Sequence, residues 1–445
     1  MSVPTVGGRA LDRVGLLIAA GVFFVVYLTT YATLTAPMFD YFGLGFRPTL
    51  PLQYWLLIAV LSLLPAFWMP TSIDRPATFL LYVVYLVVYI PALIVAYHGN
   101  LPGLTDERAT QLCLMLFIGF SIMSVGQRIL PVVELPGPGI SQSVVMALWL
   151  SFGLVCFGYV VYLLGGTAQI VSLDAVNTLR AMAAEEVEMS GSVFGLYALS
   201  WVNSFVLPVW FAIGVLSHRR WICLIVIAAY LFLFAAWGGK ASLICPIVLI
   251  GLTLLLKFPP RFFPVVMMMT FSALLLLPLA VPANIDLSDF LSGWIVALIH
   301  QRTFSSSALL ISQYLAFFDL FPQTSGSHIT GLGTFLWYPY DAGIPQTIGY
   351  YYYGGPMTAN VNFWAQDGIA GFGLAGIPIV SVICALVFWL IDSCSRHLRP
   401  DFVVLSFAYI GTNFADTGLF TTLLTGGVLL LAVVLWFMRL PYLRR

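Results

Sequence analysis

Three cations stand where ordinary solvation does not explain them: Arg180, Lys240 and Arg302. Residues 172–190 carry the period of an amphipathic helix. At 100° per residue, Leu173, Val176, Ala183 and Val187 share a face centred on Arg180, with Glu185, Glu186 and Glu188 spread over the rest. An arginine in the middle of an apolar stripe addresses an anion, pairs with a nearby carboxylate, or snorkels to lipid headgroups. Lys240 lies in Trp237-Gly238-Gly239-Lys240-Ala241-Ser242, between two apolar segments of only about sixteen residues each, which would recess its ammonium. The plainer role is an anchor on phospholipid phosphates. Arg302 follows His300 and Gln301 at the end of a short apolar helix, a trio able to bind a phosphate or a sugar hydroxyl, or simply to complement a helix C-terminus.

Proton acceptors for such a site are His300, His328, Asp319, Asp341, Asp367 and the glutamates of 185–188. Between Trp337 and Trp364 the chain is dense in aromatics, among them Tyr338 and Tyr352, interleaved with Gly, Pro and amides such as Asn360 and Asn362. Flat faces beside amides suit a saccharide, and equally an interfacial aromatic belt. Arg47 and Arg108, in short loops beside Pro48 and Glu107, read as solvated.

The elements that must position these residues follow from composition. Of 445 residues 61% are hydrophobic and 8% charged, with mean hydropathy +0.99, where a soluble domain is about a quarter charged. A water-soluble enzyme is excluded, as are disordered and collagen-like chains. The net charge of zero offers no field for nucleic acid. Six cysteines without a CxxC pair suggest neither a disulfide framework nor a thiolate zinc site. Nucleotide-binding glycine loops, HExxH and GxSxG are all missing, so no metal or organic cofactor is called for.

Apolar segments near 14–35, 53–69, 77–97, 109–125, 142–164, 192–216, 221–237, 241–256, 262–281, 371–391, 402–416 and 419–438 predict an all-α polytopic membrane protein of about twelve spans. The first is too long for a signal-peptide core and reads as a retained anchor. With both termini cytoplasmic, 13 of the 18 basic residues fall inside, and 13 of the 18 acidic residues fall outside. Two outer segments, 165–191 and 282–370, exceed simple turns. In the second, 288–302 and 306–320 read as short helices lying at the interface or re-entering it. No internal repeat of the kind found in many transporters is visible.

With these features the sequence resembles the bacterial oligosaccharide repeat-unit polymerases, the Wzy-type O-antigen polymerases. The likeness rests on the small-small-basic-small turn at Gly238-Gly239-Lys240-Ala241-Ser242, on Arg302 in an outer helix, and on Asn360-Val361-Asn362-Phe363-Trp364-Ala365-Gln366-Asp367-Gly368 followed by Gly371, Gly373 and Gly376. The family's Arg, ten residues, Gly pattern is met by Arg180 with Gly191. Arg302 departs from it, with Gln313 in the corresponding place. The resemblance implies a multi-pass inner-membrane glycosyltransferase acting at the periplasmic face on undecaprenyl-pyrophosphate-linked oligosaccharide. Arg302, Lys240 and Arg180 would neutralise the pyrophosphate, and His300 or Asp367 would serve as base. Trp337, Tyr338, Tyr352, Asn360, Asn362, Trp364 and His328 would hold sugar. Membrane lipids, a chain-length regulator and a flippase are the implied partners. Two alternatives stand: an O-antigen ligase, although Gly326-Ser327-His328-Ile329 lacks the Asn-Ser usually beside its histidine, and a transporter or flippase of lipid-linked or anionic solutes.

Overall fold

The computed structural model describes residues 6–101, 103–169, 179, 182–183, 191–280, 293–329, 331–355 and 357–445. Among them every element is helical, apart from one isolated bridge between Leu398 and Arg444. In chain order the main helices are α1 (Leu11–Phe42), α2 (Leu52–Phe67), α3 (Pro76–His98), α4 (Asp106–Ile129), α5 (Gln142–Leu164), α6 (Val193–Leu216), α7 (Arg220–Trp237), α8 (Lys240–Leu255), α9 (Phe263–Ala280), α10 (Val296–Ser305 continued by Ser306–Phe318), α11 (Ile344–Tyr353), α12 (Trp364–Ser395), α13 (Pro400–Ser406), α14 (Ile410–Asp416) and α15 (Leu419–Phe437).

Nine of these, α1, α3 to α7, α9, α12 and α15, are long and apolar enough to cross a membrane, so the chain has the build of a multi-pass membrane protein. The other expected spans are shorter or broken. α2 tightens into a 3₁₀ turn around Pro65, and α8 carries Pro246 in its interior. The segment 402–416 is interrupted between Ser406 and Ile410 to give α13 and α14.

α3 is the axis of the molecule, with the whole of its membrane-length stretch enclosed by protein. Its tyrosines repair the defect that proline makes in α2. Pro65 has no N–H, so the Leu61 carbonyl four residues back lacks its helical donor, and the Tyr89 hydroxyl donates to it at 2.8 Å. Tyr85 likewise donates to the Ser62 carbonyl at 2.6 Å.

α10 is the main departure from the sequence reading. The two short helices expected to lie at the interface or re-enter it form, over the described residues from 293 on, one continuous run, and every residue from Phe304 to Phe318 is buried; residues 288–292 lie outside the described residues. Ala308, Leu309, Leu310, Ile311, Phe317 and Phe318 cover its circumference with apolar surface, which requires protein or lipid on all sides. The small residues Ser305, Ser306 and Ser307 let neighbours close in. Phe304 meets Phe23 and Tyr27 of α1 at 6.0 Å centroid distances, and the Ser305 hydroxyl bonds the Tyr27 hydroxyl at 3.1 Å. Farther along, Gln313 donates to the Tyr353 hydroxyl at 2.9 Å, and Asp319 just beyond the helix pairs with Arg108.

Contacts divide the bundle into two ends. At one, Arg13 donates to the Ala66 and Met69 carbonyls, Arg75 pairs with Asp392, Arg396 reaches the Val132 carbonyl, Arg439 the Leu135 carbonyl, and Arg445 pairs with Asp74. The cations expected on the inner side therefore gather together. The other end holds Arg47 paired with Asp106, Arg108 paired with Asp319, and the aromatic stretch from Trp337 onward. Arg47 and Arg108, read as solvated, are both in ion pairs, because long guanidinium side chains find carboxylates on neighbouring loops.

Candidate functional site

At the aromatic end, two residues that the sequence could only name separately come together. His328 Nε2 stands 3.7 Å from Asp367 Oδ1, with both side chains more than nine-tenths buried. Asp367 is delivered by a π-helical turn, Trp364–Ile369, at the start of α12. Such turns are energetically poor and recur at functional sites. Its second oxygen accepts the Leu419 amide, capping the first turn of α15 from outside. Gly418 makes this approach possible, since a Cβ there would stand 2.9 and 3.0 Å from the two carboxylate oxygens.

His328 is oriented by Thr324. The Thr324 hydroxyl donates to the Ala370 carbonyl at 3.0 Å and so accepts from His328 Nδ1 at 2.7 Å. That assignment puts the ring proton on Nδ1 and turns Nε2 toward Asp367. Nε2 makes no hydrogen bond, and neither does Gln366 Oε1 beside the same carboxylate. Two buried polar atoms without partners, flanking one carboxylate, are the mark of a place prepared for a further polar group.

Of the cations, Arg302 lies on α10, which reaches the segment that carries the Leu419 amide. Arg302 is exposed, in the π-helical half of α10, within electrostatic range of Asp416 at the end of α14. The carbonyl of Ala415 accepts from the Ser307 hydroxyl, and Ser307 in turn accepts from Asn362 Nδ2 at 2.9 Å. Residues 415–419 thus face Arg302 and α10 on one side and Asp367 with His328 on the other. Lys240 lies at the N-terminus of α8, exposed, with its ammonium 5.9 Å from the Trp294 ring just before α10. Trp294 and Arg302 are about two turns apart along the same helical run. Arg180 lies outside the described residues.

The remaining sequence candidates separate into buried and open groups. His300 is fully enclosed, with Nδ1 3.4 Å from the Thr35 hydroxyl, and burial pushes its pKa down to about 4. It is a neutral imidazole whose Nε2, like that of His328, is buried without a hydrogen-bond partner; what separates the two is that among the described residues a carboxylate faces His328 and none pairs with His300. Trp364, expected to offer a face to sugar, is instead completely buried, its indole N–H given to Ser381 at 2.8 Å. Asn362 is buried as well, its oxygen accepting the Trp364 amide at 3.0 Å, so both support the turn that presents Asp367. Tyr352 is half-buried and donates to the Gln313 carbonyl at 3.1 Å; Tyr338 donates to the Ala342 carbonyl. Trp337, Tyr350, Tyr351 and Asn360 are open to the surroundings.

No family model, no curated protein and no solved structure matches the chain. The site must be read from its own geometry. It is a buried carboxylate and histidine with unpartnered polar atoms beside them, an arginine across one short segment, and exposed aromatic and amide side chains elsewhere in the 337–360 stretch. Among the described residues no cluster of three metal-ligating side chains occurs. Sequence reasoning missed Ser307 and Gly418, which carry no motif. Only the fold places them between the cation and the couple.

Proposed function

We propose that the chain is a membrane-embedded glycosyltransferase of the bacterial inner membrane that polymerises undecaprenyl-pyrophosphate-linked oligosaccharide repeat units at the periplasmic face. The observation that carries this reading is the 415–419 segment, with Arg302 on one side and the His328–Asp367 couple on the other. In this reading Arg302, with Lys240, meets the pyrophosphate of the donor and stabilises the charge that grows as the sugar C1–O bond breaks. The acceptor sugar hydroxyl forms the new bond to C1. Its proton passes to His328 Nε2, which Asp367 holds in place and whose developing charge it balances. Undecaprenyl pyrophosphate leaves. The exposed aromatics and Asn360 suit sugar rings, which have an apolar face and a polar rim.

The test is polymer length in cells carrying Arg302→Ala, Lys240→Ala or His328→Gln, with membrane insertion checked by detergent extraction. Loss of the laddered polymer at normal protein levels is expected for each. Arg302→Lys separates a point charge, which would keep activity, from a bidentate contact, which would not. Wild-type ladders in Arg302→Ala and His328→Gln, or vesicles that move lipid-linked sugar across the bilayer without making new glycosidic bonds, would overturn the proposal.

A further inference from the structure

At the opposite end of the bundle two clefts open side by side, sharing Arg75 and Val132. The smaller, about 200 Å³, sets Asp74 and Asp392 against Arg75, Arg396 and Arg445, so most of its charge is paired. The larger, about 390 Å³, is lined by Arg13, Arg75 and Arg128 with Thr71, Ser72 and Gln127, and no carboxylate is among its lining residues.

Two of those guanidiniums, Arg13 and Arg75, are held in place. Arg13 is tied down by the Ala66 carbonyl at 3.0 Å and by that of Met69. Arg75 donates to the Gln127 carbonyl at 3.2 Å, and its own carboxylates, Asp392 at 3.4 Å and Asp74 at 3.8 Å, belong to the neighbouring cleft. Arg128 is exposed, makes no hydrogen bond or ion pair among the described residues, and is close enough to Arg13 for the two charges to repel. Arg13 and Arg128 thus set like charges beside a hollow whose lining holds no carboxylate, a repulsion that an anion seated there would relieve, while Arg75 keeps its counter-ions in the neighbouring cleft. One lining group asks for a donor as well: Gln127 is 4% exposed and its Oε1 is buried without a partner. A ligand with a hydroxyl beside its anionic oxygens would satisfy both.

We propose that this cleft is a phosphate-binding site. Planar guanidinium forks and the Thr71 and Ser72 hydroxyls match phosphate oxygens, and Gln127 Oε1 accepts from an adjoining hydroxyl. The phosphate arrives on the headgroup of an anionic glycerophospholipid or as the free ion. The site stands apart from the proposed transferase centre and does not depend on it.

The experiment uses the full chain purified in detergent. Native mass spectrometry counts phosphatidylglycerol or phosphatidylcholine retained per molecule, and thermal unfolding is followed with inorganic phosphate against chloride at equal ionic strength. Retention of phosphatidylglycerol over phosphatidylcholine, weakened roughly tenfold by Arg128→Gln and restored by Arg128→Lys, establishes the site with lipid as its source. Stabilisation by phosphate alone, lost in Arg128→Gln, establishes it with the free ion. Arg128 packs against no partner, so its replacement leaves folding intact. Lys257, exposed at the same end but outside the cleft, is the control. Neither ligand binding selectively, or Lys257→Gln weakening retention as much as Arg128→Gln, would overturn the proposal in favour of diffuse surface charge.

Discussion

α12 carries one buried carboxylate near each of its ends, and the two are used in opposite ways. Asp367 and Asp392 are 25 positions apart in the sequence, but the chain turns at Gly373 and folds the Trp364–Ile369 turn back along the rest of α12, so that the Trp364 indole reaches Ser381 at 2.8 Å. Each accepts a backbone amide from the first turn of another helix, Asp392 from Ala77 at 3.1 Å and Asp367 from Leu419. Each has one basic neighbour. Asp392 faces Arg75, a guanidinium that never gives up its proton, whereas Asp367 faces His328, whose charge can change. The same capping device is closed at one end, where it fastens α3 to α12. At the other the basic neighbour is a histidine; unpartnered buried atoms occur at both, Asp392 Oδ2 at the first and His328 Nε2 with Gln366 Oε1 at the second, so the difference lies in the neighbour's charge. A permanent counter-charge makes a fastening; under the proposed function the histidine at the other site is where the acceptor's proton would go.

The largest effect that would break this contrast is expected from Asp367→Asn. Asparagine keeps an oxygen for the Leu419 amide but removes the charge facing His328. Transferase activity per folded molecule should therefore fall roughly a hundredfold, with the unfolding midpoint little changed. If instead the midpoint drops and activity per folded molecule persists, Asp367 is a fastening like Asp392. The mirror experiment is Asp392→Ala. It strips the Ala77 amide of its acceptor and Arg75 of its nearer carboxylate, and should cost about 2–4 kcal/mol in stability while the surviving folded protein keeps its activity. Thermal unfolding with a parallel polymerisation assay separates the two outcomes.

Much of the fold was legible, because a membrane imposes a simple rule on sequence. Apolar runs marked the spans, and the sorting of arginines anticipated that Arg13, Arg75, Arg396, Arg439 and Arg445 would meet at one end. α10 was not legible as a core helix. Its Ser305-Ser306-Ser307 and Gln313 lower the hydropathy to that of an interfacial segment, although once buried Ser305, Ser307 and Gln313 are satisfied by Tyr27, Ala415 and Tyr353. The candidate site divides along the same line. His328 and Asp367 could be named from their types, but their proximity depends on Gly418 and on the turn back from α14 to α15, and no spacing encodes that. Trp364 and Asn362 look like sugar binders in a linear string, and only packing shows that they are consumed in building the turn.

Gly418 offers a finer test of the same contrast. Its φ of −58° is open to any residue, so the consequence of Gly418→Ala is steric alone. The new methyl would stand about 3 Å from both Asp367 oxygens and push the carboxylate off the Leu419 amide and out of line with His328. A roughly tenfold loss of activity is expected, smaller than for Asp367→Asn because the charge remains. Unaltered activity would mean that the position of Asp367 is not what matters.

The smallest effect belongs to the other buried histidine. His300 sits in water's absence with a pKa near 4, against 6.5 for the exposed group. Between those values the unfolded chain binds a proton that the folded one refuses, so stability is fully present above about pH 6.5 and declines as the pH falls toward 4. Lowering the pH from 7 to 5.5 should remove about 1 kcal/mol through this group. His300→Gln should abolish that component, since glutamine does not titrate, while leaving any pH dependence of catalysis that arises at His328. A stability profile unchanged by His300→Gln would mean that its ring is not excluded from water. A catalytic profile altered by it would mean that His300, and not the His328–Asp367 couple alone, takes part in the proton transfer.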